Sequence, residues 1–298
     1  MLRPEELTPQ RWRDLLDELD RRIADAIDEY VRSRFYGASD IASGFSELAK
    51  LRIGQEPNYN LPGVAVAYAF KYLPQRVTCL MGALVLAGWP SHPTSMLDIG
   101  SGSDAGSIAL ELLMPGEPMQ IHTVEASSEM RGLAETIAED VRKARVRTTA
   151  DYRDLVGGRL RLEASSFDLV TLSAAVPYGP GESRGLAEQI SQLTNPPALI
   201  VAIEPEVKKQ KLLDLRAGFD STGFYRIEDH CCHDLPDRVR VPMMMPRLTS
   251  LLQLYSGYLY ESPQLNPLGR QMIGQPPFPV YSWNTSGSYR ESLILCFE

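Results

Sequence analysis

The chain has 298 residues, a length that suits one large domain or one domain with a cap, and 44% of them are apolar, enough for a sizeable core. The net charge of −8 argues against nucleic acid as an obligatory partner, because phosphate binding leans on clustered Lys and Arg. Four Cys make no disulfide framework, the longest apolar stretch (CLMGALVLAGW) is too short to span a bilayer, and the charged N-terminus lacks a signal peptide's apolar region, so the expectation is a cytoplasmic protein without a membrane partner.

Residues 9–35 carry apolar groups at Trp12, Leu15, Leu16, Leu19, Ile23, Ile27 and Tyr30, three and four apart, which predicts an amphipathic helix started by Thr8 and Pro9. Residues 37–63 are mixed, with turn signals in GQEPNYNLPG. Tyr68, Tyr72 and Arg76 then lie four apart on one helical face, which Pro74 breaks or kinks, and a second apolar helix runs to Gly88. From residue 95 the period changes. SMLDIG, MQIHTVEA, RVRTTAD, SFDLVTLSAA, ALIVAIEP, FYRIEDHCC and SYRESLILCFE read as seven strands. The intervening helices are AGSIALELLM, SEMRGLAETIAEDVRKA, RGLAEQISQL and KKQKLLDLRAGFDSTG, the last stopped by Gly223. This alternation predicts an α/β fold with a doubly wound, mostly parallel sheet. The expected organisation is a helical extension or cap over 1–90 and a Rossmann-like domain over 91–298, the latter with a lid-like insertion at 235–287.

The first strand–helix turn names the ligand class. Gly100 and Gly102 flank Ser101 and let backbone N–H groups approach a ligand that a Cβ would push away. Asp98 at the strand end suits a cationic group, and Glu125, followed by Ala126, ends the second strand where an acid accepts hydrogen bonds from ribose hydroxyls. A nucleoside carrying a cationic amino acid satisfies both acids, and S-adenosylmethionine is that ligand. NAD is disfavoured, since Asp104 stands where the third glycine would face a pyrophosphate.

LDIGSGSD, HTVEAS, FDLVTLSAA and ALIVAIEP, in this order, resemble the class I S-adenosylmethionine-dependent methyltransferases over about residues 64–234 and the last strand. The resemblance implies a seven-stranded sheet of order 3-2-1-4-5-7-6 with an antiparallel last strand. It implies that Asp151, with Asp154 competing, meets the adenine, and that Ser173 faces the transferable methyl. Asp104, where the family shows glycine, is left between capping the helix and touching the methionine ammonium, and Asp168 is read as a brace for its strand.

AYAFKYLPQRVTCLMGALVLAG before MLDIGSGS is similar to a narrower group, the methyltransferase-like proteins of small-ribosomal-subunit assembly. In the places of that group's Tyr- and Arg-bearing helix, Glu-Pro and cysteine segment stand Tyr68, Tyr72 and Arg76, then Glu204 and Pro205, then HCCHD at 230–234. That family's cysteine cluster is associated with an iron–sulfur centre. Here Cys231 and Cys232 are adjacent and seldom both ligate one metal, so no metal is expected. The best basic stretch, with Arg142, Lys143, Arg145, Arg147, Arg153, Arg159 and Arg161, is diluted by acids and reads as a solvated surface.

The chemistry expected is methyl transfer to a small molecule or to a peptide or carrier-borne acceptor in a specialised bacterial pathway. The alternatives are an rRNA methyltransferase or small-subunit assembly factor, and a non-catalytic cofactor-binding assembly protein. Glu204, His230 and His233, with Asp234 beside it, fall at strand carboxyl ends as candidate bases. Tyr68, Tyr72, Arg76, Tyr178 and Trp283 are candidates for substrate binding. Tyr255, Tyr258, Tyr260 and Tyr281 join Trp283 as lid candidates.

Overall fold

A computed structural model describes residues 8–87, 93–139, 141–204, 208–222, 226–231, 242–243, 245–274, 280–281 and 291–297. Residue 196 and the segments 226–231, 242–243, 280–281 and 291–297 are described by their backbone. No helix among the described residues is long and apolar enough to cross a membrane.

Helix α1 (Pro9–Ser33) starts where Thr8 accepts a hydrogen bond from the Arg11 N–H at 3.1 Å, with Pro9 in the first turn where its missing donor costs nothing. It buries Trp12, Leu16, Ile23 and Tyr30 on one face. After α2 (Ala38–Leu48) come α3 (Val64–Lys71) and α4 (Leu73–Ala87). Pro74 breaks the helix rather than kinking it, with Tyr72 closing α3 and Pro74 sitting in the first turn of α4.

The alternating part follows as β1 (Ser95–Ile99), α5 (Ala105–Leu113), β2 (Met119–Val124), α6 (Ser128–Ile137), β3 (Lys143–Thr148), α7 (Tyr152–Val156), β4 (Phe167–Ser173), α8 (Pro180–Leu193), β5 (Thr194–Glu204), α9 (Lys209–Asp220) and β6 (Arg226–Cys231). The rest is β7 (Pro242–Met243), α10 (Pro246–Leu259), α11 (Pro267–Gly274), β8 (Val280–Tyr281) and β9 (Glu291–Phe297). The main sheet runs β3-β2-β1-β4-β5-β9-β6, with β9 antiparallel to both neighbours and every other pair parallel. This is the order the methyltransferase resemblance implies. Crossovers from β1 run one way and from β4 the other, so the switch point lies at the carboxyl ends of β1 and β4.

Two apolar layers flank the sheet. Met96, Leu169, Val201 and Ile203 face α1, α3, α4 and α5, while Leu97, Val170, Ile200 and Ala202 face α8 and α9. The N-terminal helices therefore share one core with the sheet. The helical part of the insertion joins them, because Asp20 of α1 accepts hydrogen bonds from the Arg247 and Leu248 N–H groups at 2.8 and 3.0 Å at the start of α10. Ser46 of α2 binds the turn before α11 through the Gln264 carbonyl at 2.8 Å.

Helix α6 ends at Ile137 rather than running to Ala144. Residues of good helix propensity are drawn into the edge strand β3, where the Lys143 ammonium donates to the carbonyls of Met114 (3.1 Å) and Glu117. Asp168 braces β4 to β1, each carboxylate oxygen accepting from a backbone N–H and hydroxyl of Thr94 or Ser95 at 2.8–3.0 Å.

Gly106 lets α5 lie on β1 and β4: a Cβ there would stand 2.5 Å from Met96 Cε, 2.6 Å from Asp98 Oδ2 and 2.8 Å from Thr171 Oγ1. Gly106→Ala is expected to cost about 1–3 kcal/mol through overpacking, read from urea denaturation; an unchanged midpoint would show that α5 can lift freely.

Candidate functional site

The turn after β1 is folded by the strand beside it. The N–H groups of Gly100 and Ser101 both donate to the Val124 carbonyl, at 2.8 and 3.2 Å. Gly100 (φ +64°) has no room for a Cβ, which would collide with the Ala175 methyl of the turn after β4. Its first duty is thus a contact within the fold. Gly102 (φ +56°) is open, with the Tyr68 hydroxyl 3.8 Å from where its Cβ would be.

Glu125 ties two turns together. Its Oε2 accepts from the Gly102 N–H at 2.9 Å and its Oε1 from the Ser127 N–H at 2.7 Å. Each oxygen keeps a further lone pair. Ala126 beside it is exposed, and Arg131 binds the carbonyls of Glu125 (2.6 Å) and Ala126 (3.2 Å).

Asp98 is buried under the first turn of α5, where its Oδ1 accepts from the Thr171 hydroxyl at 2.7 Å. Of the two roles left open for it, Asp104 does not take the cap. Its left-handed backbone (φ +62°) makes no side-chain cap, and its carboxylate turns to β3, 2.7 Å from Arg147 Nη2. Burial is the main force on all three acids. It pushes Asp98 up to about 7 and Asp104 up to about 6, and it raises Glu125 against the pull of its two amides.

The N-terminal helices close this side. Tyr68 is buried with its ring 5.9 Å from that of Tyr72, and burial pushes its hydroxyl up to about 12. Arg76 lies 5.2 Å over the Tyr68 ring and donates from Nη1 to the Ser173 carbonyl at 2.8 Å. The Ser173 and Ser101 hydroxyls are buried, with no hydrogen-bond partner among the described residues. The structure thus brings Tyr68, Arg76, Ser101, Gly102, Glu125 and Ser173 to one mouth, with Tyr72 behind Tyr68.

The remaining candidates make contacts of their own. Asp151 caps α7, its Oδ1 accepting from the Arg153 and Asp154 N–H groups at 2.7 and 3.2 Å, while Asp154 returns the bond to the Asp151 N–H. Glu204 follows Ile200 and Ala202 along one sheet face to the carboxyl end of β5, where the charges of Lys211 and Arg76 both favour its ionised form against burial. Its Oε1 accepts from the Val176 N–H at 2.9 Å and lies 3.8 Å from the Lys211 ammonium, which donates to the Val176 carbonyl at 2.6 Å. Tyr178 is 66% exposed, with Lys211 Nζ 3.8 Å over its ring. His230 pairs with Ser292, Ser292 with Ile203 and Ile203 with Ser173, so His230 sits three strands from Ser173, about 14 Å at the usual strand spacing. His233, Trp283, Cys232, Asp234 and Pro205 lie outside the described residues. Of the lid candidates, Tyr281 is described by its backbone in β8, Tyr258 is 64% exposed, and Tyr255 packs its ring edge-on against Phe70 of α3. Among the described residues no three His, Cys, Asp or Glu side chains gather to hold a metal ion.

A family model described as mitochondrial small ribosomal subunit Rsm22 matches residues 62–242, more than half of the chain. The chain belongs to this family. The match takes in α3, the glycine turn and the sheet through β6. No curated protein matches. Solved structures with some likeness include phosphoethanolamine N-methyltransferase 2 of Haemonchus contortus in complex with S-adenosyl-L-methionine (15% identity, 73% of this chain and 52% of that one, TM-score 0.43). This chain therefore spans about half of that protein's length. Two others are the cyclopropane synthase MmaA2 of Mycobacterium tuberculosis (10%, 74% and 82%, TM-score 0.47) and the plantazolicin methyltransferase BpumL in complex with a triazolic desmethylPZN analog and SAH (12%, 95% and 98%, TM-score 0.44).

In this Rsm22-family chain the basic stretch is not a solvated surface throughout. Arg145 pairs with the buried Glu111 of α5, which Arg22 of α1 also reaches at 2.7 Å, and Arg147 is taken by Asp104. Sequence reading missed Gly106, Ser127 and Lys211. Gly106 was visible as a second small residue behind GSGSD; Lys211 carried no signal, being one of three lysines opening a helix.

Lys211→Met should destabilise by roughly 3–5 kcal/mol in urea, because Glu204 would stay buried without its cation, and adding Glu204→Gln should recover part of the loss. Simple additivity of the two changes would deny the pairing. Asp98 binds its proton more tightly in the folded chain than at its ordinary value of 3.8, so stability should fall as pH rises from about 4 to 7. Asp98→Asn should flatten that fall; an identical slope would place the shift elsewhere.

Proposed function

We propose that this Rsm22-family chain binds S-adenosylmethionine at the carboxyl ends of β1 and β2 and transfers its methyl group to an acceptor brought against Ser173, Tyr68 and Arg76. One observation carries the reading: Glu125, half-buried beside the glycine turn, is presented by two backbone amides, with the buried carboxylates of Asp98 and Asp104 near enough to act on its charge. That environment suits a nucleoside with a vicinal diol and positive charges. S-adenosylmethionine has the diol, a sulfonium and an ammonium, whereas a dinucleotide would bring a pyrophosphate into the same negative field.

The residues fit in this arrangement. Glu125 takes the ribose hydroxyls on its remaining lone pairs, and the buried acids favour the cationic methionine end. Bound, the cofactor supplies a methyl on a good leaving group, so the chain's task is to align the acceptor and keep water away. Ser173 offers a buried hydroxyl for orientation and Arg76 holds its carbonyl. Glu204, which accepts from the Val176 N–H and feels the charges of Lys211 and Arg76, is read as a brace of the turn after β4, and the backbone of His230 stands three strands from Ser173, so the reading rests on alignment rather than on a placed base.

The acceptor we favour is a small molecule or a peptide, since Lys143, Arg145 and Arg147 are committed to carbonyls and acids within the fold and leave that stretch poor in cations for phosphate. A second reading, favoured by the family match, is a partner in the small ribosomal subunit, as substrate or as assembly.

Titration with S-adenosylhomocysteine by calorimetry tests the cofactor. Micromolar binding is expected, weakened tenfold or more by Glu125→Ala, about 1.4 kcal/mol. A wild-type chain that binds none overturns the reading.

A further inference from the structure

Between the 3-10 turn Ala49–Ile53 and α3, residues 55–62 form a strap laid across the β2–α6 turn that carries Glu125. The Ser127 hydroxyl donates to the Tyr59 carbonyl at 2.7 Å, and the Ser128 N–H donates to Asn60 Oδ1 at 3.0 Å. Within the strap, the Asn58 N–H donates to Glu47 Oε1 of α2 at 2.7 Å and the Leu61 N–H to the Asn58 carbonyl at 3.2 Å.

The strap's two ends differ. Gly63 (φ +79°) is wedged under α2, where a Cβ would collide with the Asp40 carbonyl. Gly54 (φ +73°) has nothing within 4 Å of its Cβ position. The Gly63 end is packed, the Gly54 end is held by the turn bonds from the Gly54 N–H to the Leu51 carbonyl (3.3 Å) and from the Gln55 N–H to the Lys50 carbonyl (3.0 Å), and between them the strap is tied to the two residues that open α6.

Ser127 is the link to the site. Its N–H holds Glu125 Oε1, and its hydroxyl both binds Tyr59 and accepts from the Met130 N–H at 3.2 Å. A continuous series thus runs from the Tyr59 carbonyl through Ser127 to the Glu125 carboxylate and on to the Gly102 N–H. Moving the strap moves the amide that orients Glu125.

We infer that the strap 55–62 is a third wall of the nucleoside site, and that Asn60 and Ser127 are positioning residues that hold Glu125 in its diol-binding orientation. The inference rests on the cofactor reading above. Asn60 is exposed and touches neither core, so changing it tests the coupling without emptying a packed position.

Asn60→Ala removes the acceptor for Ser128 and is expected to weaken S-adenosylhomocysteine binding about three- to tenfold, the range of one lost hydrogen bond. Its discrimination against the 2′-deoxy analogue of S-adenosylhomocysteine should shrink, which a loss of general stability would not cause. Asn60→Asp keeps the oxygen, and its charge suits the N-terminus of α6, so it should restore both. Hydrogen exchange followed by mass spectrometry should show the amides of 55–62 slowed by the ligand in the wild type and in Asn60→Asp, but not in Asn60→Ala. Wild-type binding with unchanged strap exchange, or Asn60→Ala with wild-type affinity and discrimination, overturns the inference alone. Absence of binding to the wild type removes the cofactor reading and this one with it.

Discussion

The carboxylate of Glu125, held between the Gly102 and Ser127 N–H groups, is the contact on which the rest of the site depends. A carboxylate this deep is costly to charge, and burial does raise it; the two amides offset part of that cost and dictate its orientation. The arrangement exists because β1 and β2 lie side by side in parallel, so that the turns leaving them meet. Glycine is needed at the meeting point for two reasons. Gly102 takes a left-handed backbone that turns its N–H to Glu125, and Gly100 makes way for Ala175 from the turn after β4. Both turns of the switch point are thereby packed onto the same few backbone atoms.

Such a concentration of acid must be contained by the surrounding fold. Asp104 is met by Arg147, and Glu111, about two turns further along α5, is met by Arg145 and Arg22. These pairs join α1, α5 and β3. Buried ion pairs add little net stability compared with apolar packing, but a broken one is severe, so they act as register marks for how α1 crosses the sheet. Asp98 is served by the Thr171 hydroxyl and the Gly106 N–H rather than by a cation, and its charge is the most strongly opposed of the three acids.

The order of strands and helices was legible because βαβ crossovers allow few topologies, and the break at Pro74 because proline lacks the donor that a continuing helix needs. Glu125 was legible as an acid closing an apolar run. The reach of α6 was not: its last residues favour helix, and only the neighbouring β2 and the carbonyls around Lys143 draw them into a strand. Nor was the face of Glu204. β5 is apolar on both sides, so its alternation carries no mark of which side meets Arg76, and the register that decides it is set by pairing with β4. That Asp104 does not cap α5 was not legible for a related reason, since a left-handed residue at a helix start sends its side chain away from the amides an ordinary cap would meet.

The two sides of the site are built with different stiffness. On the acceptor side, Ala174 has a left-handed backbone at φ +54°, an uncommon state for a residue with a Cβ, and it persists because its neighbours leave no alternative. Its N–H is bound to the Ile203 carbonyl, the Ser173 carbonyl to Arg76, the Ala175 methyl sits against Gly100, and the Val176 N–H and carbonyl are held by Glu204 and Lys211. Residues 173–176 are therefore tied to α4, β5, α9 and the glycine turn. The cofactor side leans on a strap packed at Gly63 and held near Gly54 only by turn hydrogen bonds to Leu51 and Lys50. For methyl transfer this division is physically sensible: the in-line geometry is set on the acceptor side, where displacement by an ångström is expensive, while entry and exit of a nucleoside require that one wall can part from Glu125 without disturbing the sheet.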